Sequence, residues 1–142
     1  MKKTCFPILV FILMTLNSCD SKERFTSEIR VKERVIKYLN LFFNGHYQEA
    51  WEMLSQVVKT PFKWTKDRWV GQWRKNPPKE KLVSIRFKNI KIVQKEGHFI
   101  AYVYMFLKFK FFNNNGKEII EEREVPDLWG FENNDWYRFE QD

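Results

Sequence analysis

From Phe99 to Phe112 the chain reads Phe-Ile-Ala-Tyr-Val-Tyr-Met-Phe-Leu-Lys-Phe-Lys-Phe-Phe. Every odd position is apolar, whereas the even positions mix Ile100, Tyr102, Tyr104 and Phe106 with Lys108 and Lys110. Period two in the side chains predicts a β-strand with one buried face. The run is too short to span a bilayer, which takes about 20 apolar residues. At about 3.3 Å per residue it would reach roughly 46 Å, beyond the usual strand, so it must twist or bend strongly. A curved sheet needs something in its hollow, and the preceding sequence offers helices.

Between Ser27 and Phe43, Ile29, Val31, Val35, Ile36, Leu39, Phe42 and Phe43 are expected to form the apolar side of an amphipathic helix, with Arg30, Glu33, Arg34, Lys37 and Asn40 opposite. Asn44-Gly45 stops it. Tyr47, Ala50, Trp51 and Leu54 repeat at helical spacing, and a connector broken by Pro61 follows. Thr65 and Asp67 open a third helix with Trp69, Val70 and Trp73 inside, ended by Asn76-Pro77-Pro78.

Strand signals take over from Leu82. Val83, Ile85 and Phe87 share one parity and Ile90 and Ile92 the other, so a bulge near Lys88-Asn89 would turn all five inward. Lys95-Glu96-Gly97-His98 and Asn113-Asn114-Asn115-Gly116 read as turns flanking the central strand. Glu118 to Val125 reads as a further strand, with Pro126 at an edge or bulge. Leu128–Phe131 and Trp136–Phe139 form a last hairpin. Helices followed by an antiparallel meander predict an α+β fold, with N-terminal helices packed in the concave face of a strongly curved antiparallel sheet.

The first residues follow a different logic. Lys2 and Lys3 precede an apolar stretch, Cys5 to Leu16, that closes on Leu16-Asn17-Ser18-Cys19. This resembles a bacterial lipoprotein signal, which implies removal of residues 1–18, lipidation of Cys19, a tether over 19–26 and one domain over 27–142. It also implies a cell-envelope protein on the extracytoplasmic side of a bacterial membrane, held there by its N-terminal lipid. With Cys5 removed and Cys19 acylated, no disulfide is expected, and stability must come from packing.

Formal charge falls from +7 to +5 without the signal. Between Lys59 and Lys95 there are twelve Lys and Arg against Asp67 and Glu80; between Glu118 and Asp142 there are nine acids against Arg123 and Arg138. In an exported protein such a basic segment, 59–95, is expected to meet anionic lipid or an envelope polymer, with no nucleic acid as partner. The alternative is that the basic and acidic halves face each other across the sheet as partly paired, solvated surfaces.

The element order, with Asn44-Gly45-His46-Tyr47-Gln48-Glu49-Ala50-Trp51 turning into a short helix and the chain closing on Asp135-Trp136-Tyr137-Arg138-Phe139, is similar to the nuclear-transport-factor-two-like superfamily. That is the cone-shaped roll shared with ketosteroid isomerases and polyketide cyclases. The resemblance implies an apolar cone, with polar Asp, Tyr or His groups in its enzymes, and a homodimer interface on the outer face carrying Tyr102, Tyr104 and Phe106.

No such catalytic group falls on the inner face of the central strand, and His46 and His98 sit at a helix stop and a turn. Glu132-Asn133-Asn134-Asp135 lacks the acids and glycine of a calcium loop, and no zinc, nucleophile-elbow or phosphate-loop motif occurs. No catalytic residue, metal or cofactor is therefore assigned. A ligand in the cone would meet Leu39, Phe42, Trp69, Trp73, Phe87, Val103, Met105, Leu107 and Trp129; the competing reading of the tryptophans is core packing. The expectation is a lipid-anchored, non-enzymatic protein binding a small apolar ligand or a partner protein. An isomerase or cyclase, and a structural dimeric subunit, are the alternatives.

Overall fold

A computed structural model describes residues 27–59 and 65–139. The signal, the tether, Cys19 and Trp64 lie outside the described residues. Helix α1 spans Glu28–Phe43, and Ser27 caps it by accepting from the Arg30 N–H at 3.4 Å. Its buried stripe is Val31, Val35, Tyr38 and Leu39. Ile29 and Ile36, expected inside, are exposed instead. At about 100° per residue they fall on the flank away from Val31 and Val35, and Tyr38 takes the inner place.

Gly45, at φ 81°, reverses the chain while the His46 N–H donates to the Leu41 carbonyl at 2.8 Å. Helix α2 (Tyr47–Glu52) buries Tyr47, Ala50 and Trp51. The connector expected next contains a single turn, α3 (Gln56–Lys59). Ser55 opens that turn, its Oγ accepting from the Val57 N–H and donating to Glu132. Helix α4 (Lys66–Lys75), capped by Thr65, buries Trp69 and Val70.

The sheet is antiparallel, curled and unclosed, in the order β1 (Lys81–Lys95), β2 (His98–Phe112), β3 (Glu118–Glu132), β4 (Asp135–Phe139). With the helices against its concave face the protein is α+β. Ala101, Val103, Met105, Leu107 and Phe109 of β2 are all buried, joining the helical stripe in one core. Tyr102 and Tyr104 lie on the opposite, exposed face.

Strand β1 carries the expected irregularity between Phe87 and Asn89 and a second between Leu82 and Ser84. The second shift turns Leu82 inward and leaves Val83, expected inside, half exposed. Strand β3 also differs from expectation: it runs unbroken through Pro126, which faces Tyr104 of β2. Strand β4 pairs only from Leu128 to Glu132, so Pro126 stands where β3 is an outer edge and a missing N–H is tolerated.

The basic and acidic halves meet across the sheet. Arg86 pairs with Glu122 at 3.0 Å and Lys88 with Glu124 at 2.7 Å, and Lys110 of β2, outside the basic segment, pairs with Glu118 at 3.1 Å. Arg86 also lies over the Phe106 ring at 4.2 Å, covering part of the outer face.

Strand β4 locks helix α1. Arg30 grips Asp135 with Nε at 3.1 Å and Nη2 at 2.8 Å, while Arg34 donates Nε to the Trp136 carbonyl at 2.9 Å. The Asp135 hydrogen bond raises the Arg30 pKa; burial outweighs Asp135 at Arg34 and lowers it. Residues 53–55 run beside β4 as a short parallel bridge, with Ser55 N–H donating to the Arg138 carbonyl and Arg138 N–H to that of Met53, both at 2.9 Å.

Candidate functional site

The C-terminal half of α1, α4 and the inner faces of β2, β3 and β4 surround a cavity of about 380 Å³, open to solvent in part. That is at the small end of ligand-binding pockets. Each wall follows from a local rule. Leu39 ends the buried α1 stripe and Phe42 and Phe43 follow in the last turn; Met105, Leu107 and Phe109 are consecutive inward positions of β2; Val125 and Asp127 are consecutive inward positions of β3. Trp73 closes one side from α4, its ring edge-on to Phe42 with centroids 4.7 Å apart.

Of the sequence-derived pocket residues, Leu39, Phe42, Trp73, Met105 and Leu107 line this cavity. Trp69, Val103 and Trp129 are buried in the packing around it and do not line it. The Trp69 ring lies 5.6 Å from that of Trp51 and 6.2 Å from that of Phe42, and Trp129 meets Tyr38 edge-on. Phe87 is half-buried on β1 under Lys32, whose Nζ lies 5.8 Å from the ring.

The polar wall was not foreseen. Asp127 is buried, and Arg138 donates Nε to its two oxygens at 3.0 and 3.1 Å. The Trp129 indole N–H donates to Oδ2 at 3.0 Å and the Leu128 N–H to Oδ1 at 3.1 Å. Each oxygen thus accepts two hydrogen bonds, which satisfies a buried carboxylate and holds it as a structural anion. Arg138 also donates Nη1 to the Tyr38 hydroxyl at 3.2 Å, with its guanidinium 4.9 Å from the Tyr38 ring centre.

A second guanidinium stands in the wall. Arg123 donates Nε and Nη2 to the two oxygens of Glu121 at 3.0 and 2.9 Å, and Nη2 lies 2.8 Å from Glu80 in the segment joining α4 to β1. Glu121 first, then Glu80, raises its pKa well above the usual arginine value, and its guanidinium lies 5.2 Å from the Phe109 ring centre.

One signal in the sequence marks Asp127. Val125, Asp127 and Trp129 share a parity, so alternation carried through Pro126 points the acid inward. Among the described residues no three His, Cys, Asp or Glu side chains are grouped to hold a metal ion, and no helix is long and apolar enough to cross a membrane. His46 and His98 are exposed, His46 beside Glu49 at 3.3 Å. Comparison of the chain with models of known protein families, and with curated proteins, found no match.

Proposed function

We propose that the chain is a lipid-anchored protein of a bacterial cell envelope, held on the extracytoplasmic side through Cys19, whose nuclear-transport-factor-two-like roll binds a small, largely apolar ligand without transforming it. The observation that carries this reading is the cavity of about 380 Å³, walled mainly by Leu39, Phe42, Phe43, Trp73, Met105, Leu107, Phe109 and Val125. Apolar, aromatic concavity with few polar groups is what small-molecule sites require. The test is native mass spectrometry of the protein purified from its own host. A retained small molecule, lost on replacing Leu107 by Trp to fill the cavity, supports the reading; a ligand-free protein that also binds no apolar probe refutes it. For the anchor, labelling with radioactive palmitate should disappear in Cys19→Ala, and persistent label would exclude that cysteine as sole acceptor.

One observation favours the isomerase or cyclase alternative: a carboxylate, Asp127, stands in the cavity wall. A general base must have a lone pair within reach of the proton it takes. Both Asp127 oxygens already accept two donors, which weighs for a structural role. For the dimer alternative the support is exposed Tyr102 and Tyr104 on the outer face, and the same mass spectrum reads the oligomeric state. Contact of the basic segment with anionic lipid draws support from exposed Arg74, Lys75, Lys79 and Lys81; salt-insensitive liposome binding would dismiss it.

A further inference from the structure

We infer that the cavity selects an uncharged ligand and rejects carboxylates and phosphates; this rests on the binding reading above and adds the chemical class of the ligand. Two arginines in a ligand pocket would ordinarily suggest an anion site. Here both are already matched within the protein. Arg138 is engaged by Asp127, itself fixed by the Trp129 indole and the Leu128 N–H. Arg123 is held between Glu121, in a two-pronged contact, and Glu80. The lining itself carries Arg123 and Arg138 against Asp127; Glu121 and Glu80, which hold Arg123 from outside the lining, bring the cluster to two positive and three negative formal charges.

A carboxylate entering this site would meet two guanidiniums already matched by Asp127, Glu121 and Glu80, beside a wall of rings and aliphatic groups that cannot replace its water. Its other route is to displace Glu121 or Asp127 from a made contact, exchanging one ion pair for another while the ligand loses its hydration. A cation would meet Arg123 and Arg138 in the lining itself and must shed water against Leu39, Phe43, Met105 and Leu107. A neutral body incurs neither cost, and it fills the apolar wall with the same area buried.

The experiment titrates the full-length chain with three probes sharing one body: 4-phenylbutanol, 4-phenylbutanoate and 4-phenylbutylammonium, followed by intrinsic tryptophan fluorescence. The alcohol should bind about tenfold or more tightly than either ion. Equal or tighter binding of a charged member overturns the inference while leaving the binding reading intact. Binding of no member overturns the binding reading and the inference with it. Glu80→Gln combined with Glu121→Gln, both near the surface, removes the charges that match Arg123. Carboxylate affinity should then rise about tenfold with that of the alcohol little changed. An unchanged carboxylate affinity would show that the matched arginine is not what excludes anions.

Discussion

Replacing Asp127 by Asn tests whether the polar wall is a structural clamp. Asn keeps the size and one acceptor, but it removes the charge facing Arg138 and sets an amide donor against a guanidinium or an indole N–H. The carboxylate side chain is 2% exposed and that of Arg138 22%. Removing one partner of a buried pair costs about 3–5 kcal/mol, and because Arg138 keeps some water the lower end applies, about 3 kcal/mol. For a domain of this size that is roughly 10 °C in the melting midpoint. Urea unfolding followed by tryptophan fluorescence should show the midpoint fall with the slope unchanged, since the surface exposed on unfolding stays the same. Replacing both partners, Asp127→Leu with Arg138→Met, should recover part of the loss, because no charge is then stranded. A loss below about 1 kcal/mol in Asp127→Asn would refute the clamp, as that is what an exposed pair is worth.

Three further outcomes follow from the geometry. A Cβ at Gly130 would collide with the end of the Phe139 ring, so Gly130→Val should cost about 2 kcal/mol, read by thermal melting, and less in a Phe139→Ala background. Glu96 has φ 51° ahead of Gly97 at φ 80°, the two-residue turn that favours Asn-Gly; Glu96→Asn should stabilise by about 0.5 kcal/mol in the same assay. The Lys66 hydrogen bond holds the Glu52 carboxyl below its usual pKa, so this link between α2 and α4 contributes above the ordinary carboxylate range and is lost as pH falls through the lowered value. Both groups are substantially exposed, so the pH dependence missing from Glu52→Gln should amount to a few tenths of a kcal/mol, measured by urea unfolding at neutral and acid pH.

Where alternation was uninterrupted the fold was legible. The odd positions of β2 and the parity change at Phe87-Asn89 carry the sheet's inner face and one of its bulges directly. The bulge at Val83 was hidden because Leu82 and Val83 are both apolar, so either could be inside. The helical stripe of α1 was misread at Ile29 and Ile36, where hydrophobicity competes with angle and angle decides. For the cavity, period alone placed Leu39, Phe42, Trp73, Met105 and Leu107 in the wall but did not separate them from packed Trp69, Val103 and Trp129, and the Asp127 and Arg138 pair was not visible at all. Pro126 invites a break in the strand reading, and Arg138 lies eleven residues away across a hairpin, so only the register of β3 on β4 brings the charges together.

The clasp between the two ends of the domain bears on the order in which it can assemble. Arg30 and Asp135 are 105 residues apart, and the Ser55 N–H and the Met53 carbonyl find backbone partners on β4, at Arg138. Helix α1 packs on α2 and β1 as well, but its arginine clasp closes only once β4 is present, through contacts of long sequence separation, which close slowly. Trimming the chain before Asp135 would remove the partners of Arg30 and Arg34 and of the Met53–Ser55 backbone, so a deletion at one edge of the sheet loosens a helix about a hundred residues earlier in the chain.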